Sequence, residues 1–429
     1  MEKLHIFMGR ERLGELRIID ARGSMDLVYD SVWFSSGGIS VSPHLLPGAC
    51  RPESVHNFLA NLLPEGEWLE DLSRNATCSK ANIFGLIAYI GTETTGALSF
   101  VPEAGGEPPT TSFRVVTQEE LTARIAERKT RPITMWDGKP RMSVAGVQDK
   151  LPISKRQDGT LGFGEGDLAS THLLKFGKDP SMHLVINEYI CMQLAFTMGL
   201  PVAAVTLENF GELVLSVRRF DRKWEADKVS RLHLIDGCQL LDLPPTYKYE
   251  RPFGKSGHVA GLRAGASLPR IFDACREFCL VPIAAVKNLL EWTLFQLIIG
   301  NSDAHGKNIS FFVGKNGLSV APAYDLVCLD LYQYDRDLAM AIGDCFDPDD
   351  IATYQLAEMC EECKLPQRQT AKSLEALCDK TLHILDAVEF SFPTLTREEE
   401  DFKRELMARI GDNARRLRRF TRDLPKVRL

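Results

Sequence analysis

The chain has 429 residues, 44% hydrophobic and 25% charged, enough for two or three domains with at least one large core. A net charge of −7 argues against a surface that binds nucleic acid throughout, and eleven scattered cysteines do not form a disulfide framework. The N-terminal stretch lacks an apolar signal core and no run approaches the length of a membrane span, so a cytoplasmic location without a membrane is expected.

In chain order, "KLHIFMG", "ELRIID" and "MDLVYD" read as short strands separated by turn residues. A helical pattern follows over 55–74, and Pro64 inside it makes two helices as natural as one. Residues 101–112, "VPEAGGEPPTTS", hold two Gly and three Pro with almost no apolar content and mark a boundary. Next, "TQEELTARIAERK" carries a capping box, Thr117 three residues before Glu120. Strands resume near Ile133 and continue through "KLPISKR", "THLLKFG", "VAAVTLEN" and "LVLSVRRFDR", interrupted by a helix over 187–198. Beyond Leu234 the pattern is helical to the C-terminus, apart from two short strands near 310–313 and 318–321. The expected fold class is α+β: a β-rich N-terminal subdomain (1–105), a linker and connecting helix (106–140), a strand-rich small lobe (141–233) and a larger all-α lobe (234–429).

The stretch "GNSDAHGKNISFF" leaves the apolar run 283–299 and strings together Asn301, Asp303, His305, Lys307 and Asn308, more polar side chains than a helix exit requires. Asp303 precedes Asn308 by five residues, the pairing a phosphoryl-transfer loop needs: one group to orient or deprotonate the attacking hydroxyl, the other to hold Mg²⁺. Asp325 in "APAYDLV" comes seventeen residues later as a second hard oxygen ligand. Lys307 adds positive charge where a γ-phosphate would be transferred. Upstream, Lys175 in a strand can reach the α- and β-phosphates, and Glu188, thirteen residues on in a helix, can pair with it. The bland alternatives are a polar loop, a solvent-facing strand lysine and a first-turn glutamate favouring the helix dipole; their joint order in one chain favours function. For the phosphate-covering loop, "GFGEGD" at 162–167 has the glycines but two repelling carboxylates and looks like a turn, while "MSVAGVQDKLPI" at 142–153 has one glycine. Composition does not choose between them.

Together "SVAGVQDKL", "THLLKF", "NEYICMQLA", "GNSDAHGKNISF" and "APAYDLV" resemble the HipA family of bacterial Ser/Thr kinase toxins, over nearly the whole chain. The resemblance implies a bilobal protein-kinase-like fold behind the β-rich subdomain, with ATP and Mg²⁺ as cofactors. It makes Ser143 to Lys150 the phosphate loop, with Ala145, Gly146, Val147, Gln148, Asp149 and Lys150 touching ATP and Ser143 the autophosphorylation site whose modification silences the kinase. A phosphate there repels those of ATP. It makes Leu234, Ile235 and Asp236 the hinge beside adenine, with only Asp236, Cys238 and Gln239 carrying the match, and lines the phosphates with Lys175, His305, Gly306, Lys307 and Asn308. Asp303 becomes the catalytic base, Tyr324 and Asp325 close the metal site, and Asn308 with Asp325 binds Mg²⁺. It also implies a HipB-like helix-turn-helix antitoxin dimer, operator DNA reached through that complex, and a protein substrate such as an aminoacyl-tRNA synthetase.

Three other readings compete. A small-molecule kinase of the aminoglycoside or choline type shares the Asp, Asn, Asp logic but does not usually carry a β-rich module ending in a Pro/Gly linker. A silent co-repressor predicts a degraded site, whereas Lys175, Asp303, Asn308 and Asp325 are intact. A metal hydrolase around His305 lacks a second histidine at useful spacing. Cys360 and Cys363 form the only C-x-x-C, in a polar helical segment with no second pair nearby to hold zinc. Arg415, Arg416, Arg418, Arg419 and Arg422 crowd the tail; a helix whose arginines complement its dipole and pair with Glu398, Glu399 and Glu400 is preferred to a DNA face.

Overall fold

A computed structural model describes residues 2–91, 94–105, 110–141, 149–177, 179–225 and 227–429. The expected phosphate-loop residues Ser143, Ala145, Gly146, Val147 and Gln148 lie outside them.

The N-terminal subdomain is an antiparallel sheet of Met25–Tyr29, Glu11–Ile18, Lys3–Met8 and Leu98–Pro102, in that spatial order. Period-two alternation in the first strand sends Leu4 and Ile6 into the core. Against this sheet lies Pro52–Ala60, with Glu67–Asn75 following as a separate helix, so two helices form where Pro64 left one or two open. The first buries Val55, Phe58 and Leu59, while its polar residues Asn57 and Asn61 turn toward the helical lobe.

The small lobe is a six-stranded antiparallel sheet ordered Val205–Asn209, Leu213–Arg218, His172–Lys175, Lys150–Lys155, Leu161–Glu165 and Ser112–Val115. The last strand and the helix Gln118–Ala126, expected in the connecting region, build this lobe: Val116, Leu121, Ile125 and Trp136 share a core with Leu151, Phe163 and Phe176. Only half of the expected capping box forms. The Glu120 N–H donates to Thr117 Oγ1 at 3.2 Å, but the Glu120 carboxylate takes two charge-assisted bonds from Arg114, at 2.6 and 2.7 Å, rather than the weaker backbone donor. "GFGEGD" is not a turn between strands. Its first four residues lie inside Leu161–Glu165, where a Cβ on Gly162 would sit 2.5 Å from the Arg114 carbonyl oxygen and one on Gly164 would overlap the Leu168 carbonyl. These glycines admit neighbouring backbone. The interrupting helix starts at Leu184, three residues before the expected Asn187. Asn187 is no cap: its amide donates to the Cys328 carbonyl and accepts from the Cys328 N–H, both at 2.8 Å, deep in the core.

The helical lobe holds Leu268–Phe278, Pro282–Ile299, Thr353–Glu362, Gln367–Ala387 and Arg397–Phe420. Pro282–Ile299 is long and apolar enough to cross a membrane by length and composition, which corrects the expectation that no run has that length. Its second half, including Leu294, Phe295, Ile298 and Ile299, is buried in the largest core. Each such residue contributes about 1.5–3 kcal/mol by leaving water. The two expected strands, Ser310–Gly314 and Gly317–Val320, form a sheet with a third, Leu234–Asp236. Cys360 and Cys363 are buried in the same core as small hydrophobes. The tail arginines do not pair with Glu398, Glu399 and Glu400, which occupy the first turn of Arg397–Phe420 while the arginines crowd its far end. Arg415 pairs with Asp412 and Arg418 with Asp379 instead.

Candidate active site

The helix Pro282–Ile299 ends at Gly300, in the left-handed region at φ 69°. A Cβ there would lie 2.4 Å from an Asp330 side-chain oxygen, so both the backbone angle and the space favour glycine. Asn301 then folds back, donating to Gln296 Oε1 at 2.8 Å while its own Oδ1 accepts from the Asp303 N–H at 3.2 Å. This brace aims the loop at a cleft of about 870 Å³ between the lobes, whose walls include Leu234, Asp236, Asp303, His305, Lys307 and Asn308. Tyr324 and Asp325 complete it.

One chain of polar contacts crosses from the small lobe to the helical lobe. Lys175 Nζ donates to Glu188 Oε1 at 2.6 Å and to Asp325 Oδ1 at 2.5 Å, and Asn308 Nδ2 donates to Asp325 Oδ2 at 3.0 Å. The pair foreseen from the sequence is made, and Asp325 joins it. Asp325 adopts φ 59°, a strained conformation for a residue with a side chain and one that clusters at functional sites. Desolvation pushes its carboxyl up, but the Lys175 and Lys150 ammonium groups outweigh this and hold it well below the usual carboxylate range. Its side chain is 43% exposed to the cleft, so solvent screens part of that pull. Glu188 is raised by burial against the opposing charge of Lys175, and its Oε2 is buried without a donor. Lys150, facing Lys175 across the strand pair, is lowered by burial to about 8.

Asp303 stands at the exposed mouth of the cleft, and its Oδ1 accepts from the Tyr249 hydroxyl at 2.8 Å. Surrounding protein pushes its pKa up, and the Tyr249 hydroxyl works in the other direction. His305 is buried, its pKa lowered to about 3, and so neutral; its Nδ1 has no partner. Tyr324 donates to the Lys307 carbonyl at 2.6 Å, closing the loop from below.

Lys307 lines the cleft and is already paired. Its ammonium donates to the Asn61 carbonyl at 3.0 Å, to Asn61 Oδ1 at 2.9 Å and to Asp236 Oδ2 at 2.7 Å, which uses all three hydrogens. Its positive charge ties the N-terminal subdomain to the strand Leu234–Asp236 at the wall of the cleft. Asp236 in turn caps Gly237–Leu240, accepting from the Gln239 N–H at 2.8 Å, and Gln239 reaches the Phe58 carbonyl at 3.0 Å. Ile235 is wholly buried and turns its side chain into the core, and a Cβ on Gly306 would meet Ala266.

Sequence reasoning missed Asn61, Glu65, Lys248 and Tyr249, all of which line the cleft. Lys248 pairs with Glu65 at 2.7 Å. A signal existed for one of them: Asn57 and Asn61 are amides four apart that flank the apolar run Phe58, Leu59 and Ala60.

The set fits a nucleotide and a hard cation. The Asp325 carboxylate and the Asn308 amide meet at one corner, and the orphaned His305 Nδ1 on the same wall needs a partner. Among the described residues no group of three or more His, Cys, Asp or Glu converges on a metal position, so phosphate and water oxygens would supply the remaining ligands.

A strand-rich lobe over a helical lobe, a Lys–Glu pair in one and an Asp–Asn–Asp set in the other, defines a bilobal protein kinase. The comparisons agree. Residues 4–101 match the HipA N-terminal domain and residues 142–385 the HipA-like C-terminal domain. The chain is 40% identical to the serine/threonine-protein kinase toxin HipA of Shewanella oneidensis, over 95% of this chain and 94% of that one. A relative from Sinorhizobium fredii, Y4mE, is 30% identical over 76% of this chain and 77% of its own. The solved structure of Shewanella oneidensis HipA with HipB and its operator DNA superposes with a TM-score of 0.90 at 37% identity, covering 99% of this chain and 100% of that one. The chain belongs to the HipA family and is a serine/threonine-protein kinase toxin, using a nucleotide as phosphoryl donor.

Proposed function

We propose that the chain transfers the γ-phosphoryl group of ATP, as its Mg²⁺ complex, to a serine or threonine of a protein whose modification arrests growth. Asp303 receives the hydroxyl proton, Lys175 and His305 contact phosphates, Leu234 and Asp236 flank the adenine, and Asn308 and Asp325 hold Mg²⁺. The ion, when bound, neutralises charge on the transferring phosphate. The continuous contact from Glu188 through Lys175 and Asp325 to Asn308, with Asp303 across the cleft mouth, carries this reading.

The acceptor is a translation protein, with an aminoacyl-tRNA synthetase as the class the family resemblance supplies. Ser143 is the self-inactivation site, where phosphorylation adds about −2 of charge beside the ATP phosphates. A HipB-like dimer holds the toxin and brings it to operator DNA in the cytoplasm; the whole-chain likeness to a HipA solved with HipB and operator DNA supports this. The division at 1–105, 106–140, 141–233 and 234–429 serves as the working plan, with 112–136 allotted to the small lobe on its packing.

Intact mass of the purified chain beside Asp303→Gln, before and after Mg²⁺–ATP, tests the reading. One added phosphate mapping to Ser143 in the wild type alone is expected. No phosphate in either protein, with the wild type unmodified at the start, would overturn it.

A further inference from the structure

Tyr249 stands in the irregular segment between Gly237–Leu240 and Leu268–Phe278, and no sequence motif marks it. Its hydroxyl donates to Asp303 Oδ1 at 2.8 Å, and its ring meets His305 edge-on with centroids 5.3 Å apart. The flanking segment is pinned on both sides. Lys248 Nζ pairs with Glu65 at 2.7 Å, and the Lys248 carbonyl accepts from the Gly306 N–H at 2.9 Å. The Glu250 N–H donates to the Ala339 carbonyl at 2.9 Å. The phenol is therefore presented from a fixed backbone, not from a free loop.

A carboxylate turns about two side-chain bonds, and a fixed direction for one oxygen needs a second contact. Asn301 fixes only the Asp303 backbone. Among the described residues, Tyr249 makes the hydrogen bond to the carboxylate itself. We infer that Tyr249 is a positioning residue for Asp303: it occupies Oδ1 and leaves Oδ2 as the oxygen that receives the acceptor's proton. In the step served, the acceptor oxygen bonds to the γ-phosphorus, the bond from that phosphorus to the β–γ bridging oxygen breaks, ADP leaves, and the hydroxyl proton passes to Oδ2. This rests on Asp303 being the base.

Tyr249→Phe keeps the ring and its contact with His305 and removes only the hydroxyl. The assay is ADP formed from Mg²⁺–ATP, with casein added as a generic acceptor beside the chain itself. Loss of a hydrogen bond to a charged group predicts a fall in kcat of about ten- to a hundredfold, with KM for ATP unchanged. The groups acting on Asp303 are Tyr249, Lys248, Asp325 and Glu65, and the first two favour its charged form. Removing the hydroxyl moves the acid limb of the pH–rate profile to higher pH, which a merely structural role would not do. Unchanged kcat and an unmoved limb in Tyr249→Phe, with Asp303→Asn inactive, would overturn the inference alone. Full activity in Asp303→Asn would overturn the base assignment and the inference together.

Discussion

Replacing Lys175 by Met keeps length and removes the charge that two carboxylates share. Asp325 loses one contact but keeps Asn308 and is 43% exposed, so water compensates it. Glu188 has no such relief: its side chain is 1% exposed, its Oε1 loses the Lys175 bond, and its Oε2 has no donor already. Stranding one partner of a buried pair costs about 3–5 kcal/mol, and the lower end applies because only Glu188 is fully stranded. The double variant Lys175→Met, Glu188→Met replaces the pair by side chains of similar volume and is expected to regain most of that loss, still without phosphoryl transfer. Denaturant midpoints of wild type, both single variants and the double, followed by fluorescence, close the cycle. The deficit of the single variant also depends on pH. A buried carboxyl without its counter-ion has a raised pKa, so its stabilising protonated form is present at low pH and lost as pH rises. The deficit therefore shrinks on acidification. A Lys175→Met protein within about 1 kcal/mol of wild type, or a double variant no better than the single, would refute this account of the cluster.

Asn61→Leu leaves the buried Lys307 ammonium without the Asn61 side-chain acceptor, an expected loss of about 1–3 kcal/mol in unfolding free energy with a higher KM for ATP, measured by denaturation and initial rates. Wild-type values for both would show that the N-terminal subdomain does not brace the cleft. Three histidines are held neutral by burial, His305 at about 3 and His172 and His233 at about 4, below the usual value of about 6.5. The unfolded chain binds more protons between these values, so stability is full above about pH 6.5 and falls as pH drops toward 4. His305→Gln should soften that fall between about pH 6.5 and 5 in midpoints taken at each pH, and parallel curves for variant and wild type would sink the assignment.

The grouping of Asp303, Asn308 and Asp325 at the cleft was legible because the three lie within one stretch and the Gly300 exit places them together. Lys175 and Glu188 were legible for a similar reason, a strand leading into the helix that packs behind it. Tyr249 was not, because its role comes from a segment without periodicity whose path is set by contacts to Glu65 and Ala339, 184 and 90 residues away. The glycines of "GFGEGD" misled for the opposite reason. Glycine serves both turns and close backbone approach, and only the position of Leu168 tells the two apart. The Asn61 contacts of Lys307 were not legible because that partner lies 246 residues earlier in the chain.

That distance carries a consequence for how the parts divide. The N-terminal subdomain contacts the connection between the lobes through Asn57 to the Asp242 carbonyl at 2.9 Å, Ser54 and Arg51 to the Asp242 carboxylate at 2.7 Å, and Gln239 to Phe58. His233 beside the strand Leu234–Asp236 also meets the Val41 carbonyl at 2.9 Å, and Arg231 reaches Thr94 and Leu98. These contacts converge on 231–243, the segment through which the chain passes from the small lobe to the helical lobe. A subdomain attached only as a partner-binding module has no need to hydrogen-bond this connection. One that holds Lys307 beside Asp236, and sets Asn61 and Glu65 into the lining, helps to shape the cleft.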